Sequence, residues 1–412
     1  MMKLQDTGAI PDTGLLDRVA RRFVLKTLRQ FPAGQLVITE PDGNQTVIGH
    51  GQPTGRIMMH DWRTYRMLFT GGSLGAGEAF MEKLWSSEDL TGVIRYFAAN
   101  VSAMQDLEKG AARLFSPLLA VLHNMNRNSI TGSRRNIAAH YDLGNDFFRL
   151  FLDETMMYSS AIYASEDMSL DAAAVHKLDV ICQKLKLGPD NHLLEIGTGW
   201  GGLAVHAARH YGCRVTTTTI SAEQHKHACE RVAAEGLESR VTVLDQDYRL
   251  LQGRYDRIVS VEMIEAVGHQ YLNNYFGKLD ELLTDDGLIL LQAITIPDQR
   301  YAYAISHVDF IKRYIFPGGF LPSLRVMCDK LSVCTRMTPL DVQDIGIDYA
   351  KTIADWRERF MAASKQVTAL GFDGRFQRMW EYYLCYCEGA FRERAISTVQ
   401  LLGAGPDYRP GR

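Results

Sequence analysis

The feature that most constrains the fold is a change of rhythm near Leu170, where short apolar runs begin to alternate with helical patterns. His192–Ile196 reads as a strand and Gly201–His210 as a helix, and Val215–Ile220 with Ala222–Glu235 repeats the pair. Val241–Leu244 and Ile258–Met263 follow as strands, then a helix over Tyr271–Leu283 and a strand over Gly287–Ile294. A helix between two strands carries the chain back across the sheet, so those strands run parallel. The spacing therefore predicts a doubly wound α/β sheet, which binds ligands at the carboxyl ends of its strands.

One strand end is crowded with glycine. Gly197, Gly199 and Gly201 stand where the first strand turns into its helix, beside Trp200. Glycine there lets backbone approach a ligand and aims N–H groups from the helix start. A bare G-x-G serves nicotinamide, flavin and S-adenosylmethionine (SAM) about equally. Glu195 just before it, and G-x-G-x-G in place of G-x-G-x-x-G, favour SAM, with Glu195 facing the ligand's ammonium. The second strand ends in Thr219 and Ser221 without the usual ribose-binding acid. Gln224 then either bonds ribose hydroxyls or lies on a helix surface. After the third strand, Asp247 offers a polar contact and Tyr248 a stacking face for adenine.

The N-terminal third obeys other rules. In Leu15–Phe31, Leu16, Val19, Phe23, Val24, Leu28 and Phe31 recur at helical spacing, with Arg18, Arg21, Arg22, Lys26 and Arg29 on the other face. Such a helix suits an anionic lipid surface, or equally a helix packed on its own domain with a solvated charged side. A hairpin is predicted over Gln35–Thr39 and Thr46–Gly49, and a third strand over Arg56–His60. Helices follow over Trp62–Phe69 and Gly77–Phe97, separated by a glycine-rich turn at 71–77. Residues 1–123 thus read as a small α+β domain, the acid-free stretch 124–136 as an exposed linker, and 137–412 as the larger domain.

The net charge of −3 hides this local basicity and gives no global pull toward nucleic acid. No run of about 18 apolar residues is present, so no membrane span is expected. Seven scattered cysteines without C-x-x-C predict free thiols in a reducing compartment and no zinc site. The polar start Met1–Asp6 predicts a cytoplasmic protein.

Several segments, taken together, are more specific than any one alone. They are Tyr158–Ala161, 193–202, Thr219–Gln224, Gln246–Arg249, Ser260–Gly268, Tyr314–Ser323 and Tyr382–Arg392, with His140–Phe148 and Gly72–Glu78 ahead of them. In that order they resemble the cyclopropane-fatty-acyl-phospholipid synthase family over nearly the whole chain. The resemblance implies a class I SAM-methyltransferase fold, Rossmann-like and doubly wound, behind a smaller lipid-docking domain. It implies transfer of a methylene from SAM to a cis double bond of an unsaturated phospholipid acyl chain, closing a cyclopropane with bound bicarbonate as base.

Residue by residue, the resemblance places Glu265 and Tyr314 at the bicarbonate, Ile294 there through its backbone, and Cys387 among residues tied to activity. Ser160 and Gln292 stand where the family usually has Cys and His. Glutamine bonds hydrogen but cannot change protonation near neutral pH, so a methyl-branched or methylene chain without a ring is the alternative product. The implied SAM set is Tyr158, Ser159, Glu195, Gly197, Gly199, Trp200, Gly201, Thr219, Ser221, Gln224, Asp247 and Tyr248. Peripheral contact with the inner membrane face follows from the substrate. The family type also admits a homodimer, although no heptad in this sequence demands one.

Overall fold

A computed structural model of the chain describes residues 14–104 and 143–410. The predicted linker 124–136, and His140 to Asp142, lie outside the described residues. Contacts divide the described chain into two units, 14–104 with 372–393 and 143–371 with 394–410.

In the first unit, β1 (Gln35–Thr39), β2 (Gln45–Gly49), β3 (Thr54–Met59) and β4 (Trp85–Ser86) form a sheet in the order β2-β1-β3-β4. The antiparallel β2 ends level with the start of β1, Gln35 opposite Gly49, and β3 begins at that same end, Gln35 opposite Thr54. A short loop therefore makes β3 parallel to β1 without a crossover helix.

The first helix, Leu15–Leu28, forms as its periodicity predicts but divides its apolar residues differently. Ala20, Leu25, Leu28 and Phe31 are buried, whereas Leu16 is 68% and Phe23 43% exposed, with Leu15 and Val19 also outside. The glycine-rich segment does interrupt the helix, but more briefly than predicted: Arg63–Met81 is two helical stretches meeting at a kink where Gly72 takes φ 53° and ψ −134°. Gly75 packs its Cα against the Met67 carbonyl across the bend, where no Cβ would fit. The predicted helix Gly77–Phe97 is instead broken by β4, and its second part starts at Leu90 under an Asp89 cap whose carboxylate accepts from Gly92 N at 2.8 Å.

The helix Gly374–Arg392 joins this first unit, whereas the sequence reading kept it with 137–412. A Cβ on Gly389 would stand 2.6 Å from Ile94 Cγ2, so glycine permits the close crossing with helix Leu90–Ala99. Thr91 Oγ1 donates to Glu388 Oε2 at 3.0 Å, and Arg95 pairs with Glu393 at 2.7 Å. These contacts are far apart in sequence and leave no local signal.

The second unit is built on seven strands. They are β5 (His192–Ile196), β6 (Arg214–Thr219), β7 (Val241–Asp245), β8 (Tyr255–Val261), β9 (Leu283–Thr295), β10 (Thr338–Asp344) and β11 (Ser397–Ala404), ordered β10-β11-β9-β8-β5-β6-β7. The five parallel strands are those the sequence predicts. β11 inserts antiparallel between β9 and β10, and the sequence reading has neither. β10 is exposed along its whole length and carries Pro339, which an edge strand tolerates.

Each strand alternates between two cores. Leu194, Ile196, Ile258, Ile289 and Leu291 pack under the helix Leu272–Leu282, while Leu193, Val259, Leu288 and Leu290 pack under Leu170–Lys184 and Gly202–Tyr211. Each such buried side chain contributes about 1.5–3 kcal/mol. The strand order reverses between β5 and its two neighbours β8 and β6, which opens the crevice where a doubly wound sheet holds its ligand. Among the described residues, no helix is long and apolar enough to cross a membrane. Cys182, Cys213, Cys229, Cys328 and Cys334 are free thiols.

Candidate active site

The glycine turn after β5 has the backbone the sequence predicts. Gly197, Gly199 and Gly201 take φ of 101°, 52° and 83°, a region that favours glycine. A Cβ on Gly199 would meet nothing within 4 Å, so an open cradle lies over the turn at the start of helix Gly202–Tyr211. A Cβ on Gly202 would press within 2.6 Å of the Thr155 carbonyl, which fixes how closely the 153–160 segment passes. Arg231 fastens that segment, donating to Thr155 O and Glu154 O at 2.7 Å each.

Tyr158 sits in an aromatic box, its ring 5.3 Å from both Phe148 and Trp356. Trp200 is 2% exposed and donates from Nε1 to Asn145 Oδ1 at 2.7 Å. At the end of β6, Thr219 Oγ1 donates to Gln224 Oε1 at 3.0 Å and Ser221 caps the next helix. Gln224 is buried, which removes the helix-surface reading. The Asp247 carboxylate is gripped by Arg249 Nε and Nη2 at 2.8 and 2.6 Å, and Tyr248 lies edge-on to Tyr275 at 5.5 Å.

A second group of polar residues lies at the same carboxyl ends of the strands. Gln400 pairs with Gln292 across β11 and β9, Gln292 with Val261, Val259 with Glu195, and Glu195 with Thr217. These positions form a seam on the face covered by helix Leu170–Lys184. Its Lys177 is wholly buried and donates to Ser159 Oγ at 2.8 Å. Burial pulls this ammonium down to about 8, against the pull of Glu262, Asp153 and Glu195. Glu195 is pushed up to about 8 by the same burial and accepts from Thr217 Oγ1 at 2.6 Å. Thr217 thus holds Oε2 of the carboxyl that the sequence analysis aims at a ligand ammonium.

Just past β8, Glu262 adopts φ 50°, an unusual conformation for a residue with a side chain. Strain of this kind costs on the order of 1–3 kcal/mol and persists where the surroundings over-determine it. Here the Glu262 N–H donates to Gln292 O at 2.8 Å. Its Oε1 accepts from Ser160 N at 3.0 Å and Gln292 Nε2 at 2.8 Å, and its Oε2 from Tyr349 OH at 2.7 Å. Gln292 is in turn fixed by Gln400 at 3.0 Å.

Glu265 lies one turn further on. Its Oε1 accepts from Ile294 N at 2.6 Å, whereas its buried Oε2 has no hydrogen-bond partner. Burial and then the charge of Glu262 push this carboxyl up to about 8. Tyr314 stands on a single π-turn, Ile311–Ile315, with its ring 5.2 Å from Phe310. That segment is tied to the site by Phe320 N donating to Glu265 O and Ile296 N to Pro322 O.

A glycine cradle at a switch point joined to a paired carboxyl site narrows the field, and relatedness decides it. The family described as mycolic acid cyclopropane synthetase matches residues 128–401. The chain belongs to that family. The tuberculostearic acid methyltransferase of Mycobacterium tuberculosis is 36% identical over 397 residues, 94% of this chain and 92% of that one. The cyclopropane-fatty-acyl-phospholipid synthase of Escherichia coli is 39% identical over 343 residues, 82% and 85% of the two chains. A crystal structure of mycolic acid cyclopropane synthase complexed with SAH and CTAB superposes with a TM-score of 0.62 at 33% identity, covering 66% of this chain and 98% of that one.

As a member of the cyclopropane synthetase family the protein is a SAM-dependent methyltransferase with a class I fold. The open cradle over Gly199 fits SAM. Bicarbonate fares differently, because it needs donors. Of those that the resemblance assigns to it, the Ser160 and Ile294 N–H groups and one Gln292 Nε2 bond go to Glu262 and Glu265 instead, which leaves Tyr314 as the other assigned residue. The Ser160 hydroxyl donates to Ala161 O. Ser160 and Ile294 thus face carboxylates of the chain itself, and a second anion there would meet the Glu262 and Glu265 carboxyls.

Cys387 falls in the first unit, half-buried on helix Gly374–Arg392. The sequence reading gave no role to Glu262, Lys177, Tyr349 or Gln400. Lys177 did leave a signal, a cation on the stripe Leu170, Ala173, Ala174, Leu178 and Ile181.

Proposed function

We propose that this protein transfers the SAM methyl carbon to a cis double bond in an unsaturated phospholipid acyl chain and closes a cyclopropane ring. The observation that carries the reading is the pairing of an open glycine cradle with a buried carboxyl, Glu265, whose Oε2 has no partner. When bound, SAM supplies an electrophilic methyl on a sulfonium.

An alkene is a weak nucleophile, so the chain must hold the reactants in line and dry. The aromatic box of Tyr158, Phe148 and Trp356 excludes water and offers ring faces to a cation. The buried carboxyls stabilise positive charge on the substrate and accept the proton that ring closure releases. The likeness to the E. coli cyclopropane-fatty-acyl-phospholipid synthase and to the cyclopropane synthetase family supports this product.

The substrate lies in a membrane, and the first helix supplies the contact. Leu15, Leu16, Val19 and Phe23 form an exposed apolar stripe, and Arg18, Arg22, Lys26 and Arg29 stand on the same helix. Arg21 is withdrawn from that role, because its guanidinium forks onto Glu40 at 2.7 and 2.8 Å. Apolar side chains entering the headgroup boundary beside cations give reversible adsorption to anionic lipid.

The test is incubation with SAM and vesicles of dioleoyl-phosphatidylglycerol, then proton NMR of the recovered fatty esters. High-field ring-methylene signals are expected. Olefinic methylene signals would replace the ring reading by the ring-less one, and no SAM-dependent gain on any unsaturated lipid would remove both.

A further inference from the structure

We infer that the Glu262 carboxylate is a resident anion in the place the family resemblance gives to bicarbonate, so that the carboxyls of Glu262 and Glu265 together replace bicarbonate as proton acceptor. The inference rests on the reaction proposed above and names the group that completes it.

Three donors converge on Glu262 from three separate parts of the chain. Ser160 N comes from the 153–160 segment, Gln292 Nε2 from β9, and Tyr349 OH from the helix Gly346–Ala362. Such a cluster of inward-pointing donors is what a small anion requires. Two of them belong to positions that the resemblance assigns to bicarbonate. The backbone at Glu262 takes the left-handed conformation that delivers its side chain there, and Gln292 and Gln400 lock the orientation. Lys177, fully buried in the same seam, is the nearby cation that offsets the charge.

Glu265 stands beside this anion, since Ile294, which holds it, is two residues from Gln292 along β9. Its Oε2 is the buried oxygen without a partner, and the neighbouring negative charge makes that oxygen more basic. In the step proposed, the alkene π pair bonds the methyl carbon as its bond to the donor sulfur breaks, the pair staying on sulfur as a neutral thioether, and a cation is left on the adjacent carbon. A C–H bond of the new methyl breaks, its electron pair forms the third C–C bond of the ring, and the proton forms an O–H bond on Glu265 Oε2. That proton passes to solvent when product leaves. No dissolved co-reactant enters the balance.

The experiment combines titration with kinetics on the full chain, using bicarbonate as the probe. Calorimetry of the wild type with bicarbonate to tens of millimolar should show no saturable binding. Its rate on dioleoyl-phosphatidylglycerol vesicles should change less than about two-fold between carbon-dioxide-stripped and bicarbonate-supplemented buffer. Glu262→Gly suits the φ of 50° and empties the anion place. It should gain a calorimetric bicarbonate site, lose about 100-fold in rate, and recover at least about ten-fold on bicarbonate addition. Glu262→Gln keeps the shape without the charge, and should lose rate without gaining the site.

Saturable bicarbonate binding by the wild type, or a wild-type rate that collapses on stripping, overturns the inference. So does a Glu262→Gln variant of undiminished rate, or a folded Glu262→Gly variant that binds no bicarbonate. The wild-type and Glu262→Gln measurements stand even if the glycine variant does not fold. The calorimetry needs no lipid turnover, so it reads the anion site even where the proposed reaction fails.

Discussion

The first helix and the end of β8 both invert the usual partition of residues, and they do so in opposite senses. The helix exposes Leu16 and Phe23, while the strand end gathers Lys177, Glu195, Glu262 and Glu265 in the interior. The interior group is nearly complete: Glu262 has three side-chain acceptor bonds and Lys177 a hydroxyl, and a single Glu265 oxygen is left over. On the outside, Phe23 meets Phe69 edge-on at 4.9 Å, and Leu15, Leu16 and Val19 stay open. Buried charge has to be satisfied within the chain or it unfolds the protein. Exposed apolar area costs little stability and can be left for an outside partner.

That contrast breaks most readily at Lys177. Lys177→Met removes the cation facing three acids, and should lower stability by about 3–5 kcal/mol in denaturant titration. A loss below ~1 kcal/mol would mean that the acids do not need it. Next in size is the outer stripe. Leu16→Ser, Val19→Ser and Phe23→Ser combined should weaken binding to anionic vesicles at least about ten-fold, with stability shifted by less than ~1 kcal/mol. Unchanged co-sedimentation would assign the stripe no part in docking.

A third effect concerns pH. Glu265 has a folded pKa near 8 against an ordinary value of 4.5, so the folded state holds more protons between those limits. Its contribution to stability therefore falls as pH rises from about 4.5 to about 8. Glu265→Gln should gain on the wild type over that window, its melting advantage growing by at least ~2 °C from pH 5.5 to 8.5. A constant difference would place the carboxyl in an ordinary environment. The smallest effect separates two neighbouring arginines. Arg21→Gln should cost stability through Glu40 and spare vesicle binding, and Arg22→Gln should do the reverse, each by no more than about 1 kcal/mol. Equal behaviour of the two would erase the distinction between the inward and outward cations.

What could be read from the sequence follows the same line. The five parallel strands and the glycine turn were legible because local periodicity and glycine placement carry them. Thr219, Ser221 and Gln224 lie at the end of β6 and the start of the next helix, positions that local spacing also carries. The break at Gly72 was legible in part: the glycine run marks it, but its brevity depends on Gly75 packing on Met67. Helix Gly374–Arg392 misled because its partners, Thr91 and Ile94, lie nearly 300 residues earlier. Glu262 lies within the motif Ser260–Gly268, where nothing local sets it apart. Its importance lies in a positive φ and in donors from three distant segments, neither of which a spacing can encode.

Lys177 also bears on the order in which the chain is assembled. While its helix is undocked, the ammonium is hydrated, and giving up that water is unfavourable until the acids at the ends of β5 and β8 are in place. The helix Leu170–Lys184 thus cannot settle on a half-built sheet, although it precedes every strand of that sheet in the chain. The docking of this early helix is therefore coupled to the meeting of the central strands, because the acids that offset its ammonium stand on β5 and just past β8.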